Sequence, residues 1–243
     1  VHSIPLVGVA HGSRDPRSAV AVGELIDSVR ALRPELDVRG AFLDLSTPPV
    51  LEVLSGLYAE GHRSVVVVPL LLGRAFHARV DLPGLLEEAR GRMPHLSTTV
   101  SDVLGPDPRL ETALLGRLAE VGALPGDPEL GVVLAATGSS HAPANARVVE
   151  IAERWAHTQG WSGVRAAFAS AATPDVAAAA AALRARGARR IAVASYFLAP
   201  GLLPDRVRAM AGDAAVAEPL GASVAAVVLE RYDEVTTTAQ RTA

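Results

Sequence analysis

Three side chains in the first half of this chain have the types and the spacing for metal and proton chemistry. His11 ends the apolar run that starts at Leu6, Asp44 ends a second run that starts at Val38, and His77 follows a third, from Ser64 to Leu72. In open parallel sheets, ligands bind outside the carboxyl ends of the strands, so the three would converge on one edge. Two imidazoles and a carboxylate suit borderline ions such as Fe2+, Co2+, Ni2+ or Zn2+ and poorly suit Mg2+ or Ca2+, which take oxygen. With Cys 0, the chain has no disulfide, thiolate nucleophile, iron–sulfur cluster or thiolate zinc site. A metal here must rest on nitrogen and oxygen.

Each of these residues also has a plainer reading. A lone His or Asp at a strand end often caps a helix or satisfies a backbone group. For Asp44 the helix in question starts at Pro48, and Ser46 and Thr47 stand closer to the capping position. Four other histidines, His2, His62, His95 and His157, carry no assigned role. His141 follows Gly138-Ser139-Ser140 in a loop of the second half and is kept as a candidate facing the cleft.

The elements that must position these residues alternate in type. Short β-branched runs mark strands buried on both faces of a parallel sheet. Asp15-Pro16, Thr47-Pro48 and Asp107-Pro108 mark helix starts, with a cap followed by proline at the first helical position. The predicted order is strand 5–11, helix 16–32, strand 38–44, helix 48–60, strand 64–72, helix 80–92, strand 98–103 and helix 108–121.

The order then starts again. Gly12-Ser13 recurs at Gly138-Ser139, Ala41-Phe42 at Ala167-Phe168, Thr47-Pro48 at Thr173-Pro174, Gly61 at Gly187 and Leu72 at Leu198, all in one ungapped register. Leu104-Gly105 matches Leu220-Gly221 in a shorter register, so the second copy has lost residues between its third and fourth strands. The expected architecture is α/β: two tandem duplicated domains, each a flavodoxin-like four-stranded parallel sheet with helices on both faces. The expected division is 1–123 for the domain with the site and 129–243 for a degenerate repeat, joined across the Pro/Gly stretch near Leu124 to Pro128. The repeat is also an internal control. His11 becomes Thr137, Asp44 becomes Ser170, and the ungapped equivalent of His77 is Leu203. The framework persists while the candidate ligands vanish, which favours a functional reason for them.

Composition bounds the partners. The 243 residues are 49% hydrophobic and 20% charged, the balance of a globular chain. A formal charge of -3 with no basic run gives no footprint for nucleic acid or an anionic membrane. No apolar stretch is long enough to span a bilayer, and the apolar start has no basic n-region, so a cytoplasmic location is expected. All 23 basic residues are arginine, whose guanidinium suits bidentate carboxylate recognition where it faces a site.

Val9-Ala10-His11-Gly12-Ser13-Arg14, then Phe42-Leu43-Asp44-Leu45 before Pro48, then Pro69-Leu70-Leu71-Leu72-Gly73 leading to His77, Asp81 and Pro83, resemble the class II sirohydrochlorin chelatases of the CbiX/SirB type. Gly138-Ser139-Ser140 and Tyr196-Phe197-Leu198-Ala199-Pro200-Gly201 are similar to the degenerate second domain of two-domain members. The resemblance covers essentially the whole chain. It implies a lyase that inserts Co2+ or Fe2+, with Ni2+ also open, into sirohydrochlorin, a carboxylated tetrapyrrole of the cobalamin and siroheme routes. The metal is then substrate, and no prosthetic group is implied. In the family, the histidines matching His11 and His77 are the catalytic and metal-binding pair. A glutamate usually stands at the position of Asp44, so this chain is one methylene short there. The expected metal ligands are His11, His77 and Asp44.

Metallation strips water from the ion and two pyrrolic protons from the ring, which calls for labile ligands and a base that works near neutral pH. Histidine does both. Arg14, Arg74 and Arg79 are expected to pair with substrate carboxylates, Ser13 to offer its hydroxyl or N–H, and Tyr196, Phe197 and Leu202 to offer apolar area. Surface arginine, helix capping and plain core are the respective alternatives. Because duplication lets one chain supply both walls of a cleft, a monomer is expected. Competing readings are a metal or tetrapyrrole carrier without turnover and a histidine-phosphatase-like phosphohydrolase, against which Ala10 stands where the arginine of that class belongs. Protohaem ferrochelatase does not match the duplicated layout.

Overall fold

The computed structural model describes residues 3–73 and 76–242, without the side chains of 76–80 and 238–242. The chain forms β1 (Leu6–Ala10), α1 (Pro16–Leu32), β2 (Val38–Phe42), α2 (Val50–Ala59), β3 (Ser64–Pro69), α3 (Phe76–Arg92), β4 (Ser97–Val100) and α4 (Pro108–Glu120). The second series is β5 (Leu130–Ala136), α5 (Ala142–Thr158), β6 (Gly163–Phe168), α6 (Val176–Ala185), β7 (Arg190–Ser195), α7 (Leu202–Met210), β8 (Ala215–Val216) and α8 (Ala225–Thr242). Two four-stranded parallel sheets result, in the orders β2-β1-β3-β4 and β6-β5-β7-β8.

The duplication is written into the strand register. Val9 pairs with Pro69 in the first sheet, and the equivalent Ala135 pairs with Ser195 in the second. Leu6 pairs with Val38 as Val132 pairs with Val164. Beyond the deletion, Leu104 N–H donates to Leu71 C=O and Leu220 N–H to Phe197 C=O, both at 2.9 Å, which supports the shorter register for the fourth strands.

In the first sheet, Val7, Val9, Val65 and Val67 turn to one face and pack under α2 and α3. The opposite face takes α1, where Gly8 and Gly40 leave room for Ile26: a Cβ at Gly8 would lie 2.8 Å from its Cδ1. In the second sheet, Val133, Ala135 and Val193 pack under α6 and α7. Such closely filled two-sided cores leave the strands as continuous apolar runs.

The compact units do not follow the contiguous halves 1–123 and 129–243. One comprises Val1–Asp107 with Gly221–Ala243, the other Pro108–Leu220. The last helix of each repeat is exchanged. α4 buries Leu110, Leu114 and Leu118 in the second unit, whereas α8 buries Val227, Val228 and Tyr232 in the first. Polar contacts fix α8 there: Arg33 grips Asp233 through its two terminal guanidinium nitrogens, Tyr232 Oη donates to Ile4 C=O at 2.7 Å, and burial pushes the Tyr232 phenol up from its ordinary range. The buried Arg231 guanidinium donates to the carbonyls of Val103 and Leu104 and to Asp107 Oδ2 at 3.0 Å. Asp107, expected only to mark a helix start, is thus the counter-ion of a buried arginine.

α1 starts as expected, with Asp15 Oδ1 accepting from Arg17 N–H at 3.0 Å and Pro16 at the first position. The Arg17 guanidinium beside Asp15 also holds that carboxyl below its ordinary range. α2 differs: it begins at Val50 after Pro49, with no side-chain cap, so neither Ser46 nor Thr47 caps it. α3 begins at Phe76 rather than at 80 and carries Pro83 in its interior, where the ring removes one backbone donor but does not end the helix. Its hydrophobic spacing is correspondingly poor, which is why the sequence pattern started the helix late.

Candidate functional site

The carboxyl edge of the first sheet is built from the turns after β1 and β2. As β1 ends, Leu43 N–H donates to Ala10 C=O at 2.9 Å and Asp44 N–H to His11 C=O at 3.0 Å, so the two strands stay zipped into their loops. Gly12 then turns with φ +97, and a Cβ there would stand 1.7 Å from the Asp44 carbonyl oxygen. Only glycine lets the loops approach this closely. One residue on, Ser13 N–H donates to Ser46 Oγ at 3.1 Å while the Ser46 hydroxyl donates to Ser13 C=O at 3.0 Å, a reciprocal clasp across the two loops.

These bonds place His11 and Asp44 side by side on the backbone. His11 is half-buried, and its Nδ1 lies 3.3 Å from Gly12 C=O. A carbonyl can only accept, so this contact is a hydrogen bond only in the tautomer that carries the proton on Nδ1. Asp44 is exposed, and its Oδ1 accepts from Leu45 N–H at 2.7 Å. The carboxylate therefore holds its own loop, and it does not cap α2.

The other expected site residues divide. Ser13 spends its N–H on Ser46, and its Oγ accepts from Asp15 N–H at 3.1 Å, so it is a loop-binding residue. Arg14 is exposed beside it. His77 falls in the first turn of α3, and its side chain, with that of Arg79, lies outside the described residues, as does Arg74 altogether. In the second unit Phe197 is 7% exposed within the core, so the apolar surface expected of it is not available to a ligand. Tyr196 is half-buried, and Leu202 is 72% exposed at the start of α7. His141 occupies the N-cap position of α5 without a side-chain capping bond.

The second unit repeats this edge without its chemistry. Ser170 N–H donates to Thr137 C=O at 2.9 Å, Gly138 turns with φ +84, and its Cβ would lie 1.9 Å from Ser170 C=O. Where the first copy has the Ser13–Ser46 clasp, the second uses Asn145, whose Oδ1 and Nδ2 engage the N–H and C=O of Ser139. Backbone geometry thus survives replacement of His11 by threonine and of Asp44 by serine.

Sequence reasoning missed Ser46 by taking it for a capping residue; the spacing between the two Gly-Ser turns and the second loop does not by itself reveal a bridge. Replacing Ser46 by alanine removes both clasp bonds from a half-buried position and is expected to cost about 1 kcal/mol. The midpoint of urea unfolding checks this, and the substitution should lower any activity that depends on His11 more than its modest cost in stability implies.

Another cluster competes for attention. Among the described residues, Asp37, Glu60 and His62 present ligand atoms close enough to hold an ion. They lie at the amino end of the strands, away from His11, and Arg39 already binds both carboxylates, donating to Asp37 Oδ2 at 2.8 Å and Glu60 Oε1 at 2.9 Å. The same guanidinium holds the Glu60 carboxyl below its ordinary range. A cation there would have to displace an arginine, so this group is an ion-pair network.

Comparison with known proteins bears on the whole chain. Two relatives from Priestia megaterium are a sirohydrochlorin cobaltochelatase, 26% identical over 83% of this chain, and a sirohydrochlorin ferrochelatase, 24% identical over 82%. The chain spans 66% of the length of the first and 75% of the second. Among solved structures, SirB from Bacillus subtilis with Fe3+ superposes with a TM-score of 0.81 at 22% identity, over 98% of this chain and 97% of that one, which establishes the shared fold. The CbiX sequence profile matches residues 5–121 and again 131–236, one match for each repeat, and so the chain belongs to the CbiX family.

Proposed function

We propose that this chain is a sirohydrochlorin chelatase, a metal chelatase of the lyase class that inserts Co2+ or Fe2+ into the tetrapyrrole. The observation that carries the reading is the contrast between the two sheet edges. The same main-chain bonds and the same glycine turn frame both, yet the pair those bonds join is His11 and Asp44 in the first and Thr137 and Ser170 in the second. The scaffold does not require these side chains, so a reaction accounts for them best. Relatives named as cobalt and iron chelatases point to the same chemistry.

The reaction exchanges one divalent ion for two pyrrolic protons. His11 is assigned as the imidazole that receives the ion or a departing proton. His77 is assigned as the second imidazole. Asp44, with Oδ1 fixed by Leu45 N–H, sets the negative field beside them and is one methylene too short to reach as far as glutamate. Arg14 is assigned to pair with a ring carboxylate. Either ion suits this donor set, and availability selects between them.

The test is an anaerobic absorbance time course of sirohydrochlorin with Co2+ or Fe2+, with and without the protein. The expected result is conversion to the metallated spectrum faster than in the protein-free control. A rate equal to that control despite tetrapyrrole binding would replace the chelatase by a carrier.

A further inference from the structure

Next to Asp44 the chain does something a leucine avoids. Leu45 has φ +60, and the only other non-glycine residue with positive φ among those described is Ala171, its counterpart in the second repeat, at φ +55. Ser46 N–H donates to Asp44 C=O at 2.8 Å, closing a three-residue turn with Leu45 at its centre in the strained hand. The turn is held from several sides: Leu45 N–H goes to Asp44 Oδ1, Asp44 N–H to His11 C=O, and Gly12 packs directly against Asp44 C=O. Leu45 is nevertheless 49% exposed and lies outside the core that takes its neighbour Leu43.

A single exposed leucine is ordinary, but a branched side chain at a left-handed position is not. Glycine or asparagine would meet the backbone's need at lower cost. The second repeat keeps the positive φ with the smallest chiral side chain. The first, which alone carries His11 and Asp44, places a large apolar one there and presents it to solvent. Backbone strain that the surroundings hold in place clusters at active sites and ligand clamps.

We propose that Leu45 is a substrate-contact residue, an apolar side chain held out on a left-handed backbone to lie against the face of the tetrapyrrole ring beside His11. The proposal rests on the chelatase reading above and names part of what that site binds: the apolar ring face, as distinct from the carboxylates at its rim.

The test opposes stability to binding. Leu45→Asn suits the backbone and removes the apolar contact; Leu45→Met keeps apolar area; Ala171→Asn makes the same backbone change in the repeat without the site. Metal-free sirohydrochlorin is titrated into each by its own absorbance, melting temperatures are recorded, and KM and kcat are measured with Co2+. Leu45→Asn is expected to melt no lower than wild type, yet to weaken binding and raise KM roughly three- to tenfold, with kcat little changed. Leu45→Met should recover most of that loss, and Ala171→Asn should bind as wild type does. Binding by Leu45→Asn within twofold of wild type, or an equal loss in Ala171→Asn, would overturn the proposal while leaving the chelatase reading intact. Failure of the wild type itself to bind sirohydrochlorin overturns both.

Discussion

Replacing His11 by threonine is expected to abolish metal insertion while leaving the fold in place. The choice of threonine comes from the molecule, because Thr137 occupies the equivalent position and keeps the same bond: its C=O accepts from Ser170 N–H at 2.9 Å, where His11 C=O accepts from Asp44 N–H at 3.0 Å. A side chain that the repeat dispenses with at no cost in geometry should cost little in stability, within about 0.5 kcal/mol. Its loss from the reaction is another matter. A positioned base contributes about a hundred- to ten-thousandfold, and here the same imidazole is also assigned to the ion, so the rate should fall at least about a hundredfold toward the protein-free control. Thermal melts and the anaerobic time course, run on the same preparation, separate the two effects. Unimpaired conversion by His11→Thr would move the reaction away from this edge.

Much of this is legible in the repeat alone. Glycine, proline and aromatic landmarks recurring in one register predicted two parallel α/β sheets, and the same pairs now appear as matching strand registers and matching turns at Gly12 and Gly138. Convergence of His11 and Asp44 followed from a rule about strand ends, and a backbone hydrogen bond joins them. Periodicity could not show which sheet a helix packs on. α4 and α8 have amphipathic patterns that fit either sheet, and it is the grip of Arg231 on Asp107 and of Arg33 on Asp233 that selects the first unit for α8. Polar bridges across loops were equally invisible. Ser46 looked like a cap because serine before a helix usually is one, yet its partner is Ser13, brought near by Gly12.

That glycine gives the second large effect. Gly12→Ala is expected to destabilise the chain by about 3 kcal/mol or more and to dismantle the site. A left-handed alanine costs about 1 to 2 kcal/mol by itself. The remainder comes from the Cβ, placed 1.7 Å from a backbone oxygen that no rotamer change can move. The carbonyl that must retreat belongs to Asp44, so relief comes at the expense of the His11–Asp44 bond, the turn at Leu45 and the Ser13–Ser46 clasp together. Gly138→Ala supplies the comparison, since its Cβ would lie 1.9 Å from Ser170 C=O and 2.9 Å from Phe168 Cβ. Both variants should lose comparable stability in urea. Trp155 and Trp161, the protein's two tryptophans, stand in edge contact in the second unit, so fluorescence follows Gly138→Ala directly and far-UV dichroism follows either variant. Under conditions where each remains folded, Gly138→Ala should still metallate sirohydrochlorin and Gly12→Ala should not. Equal activity in the two would mean that the close approach of the first two loops serves the fold alone, and that His11 works without the frame that holds it.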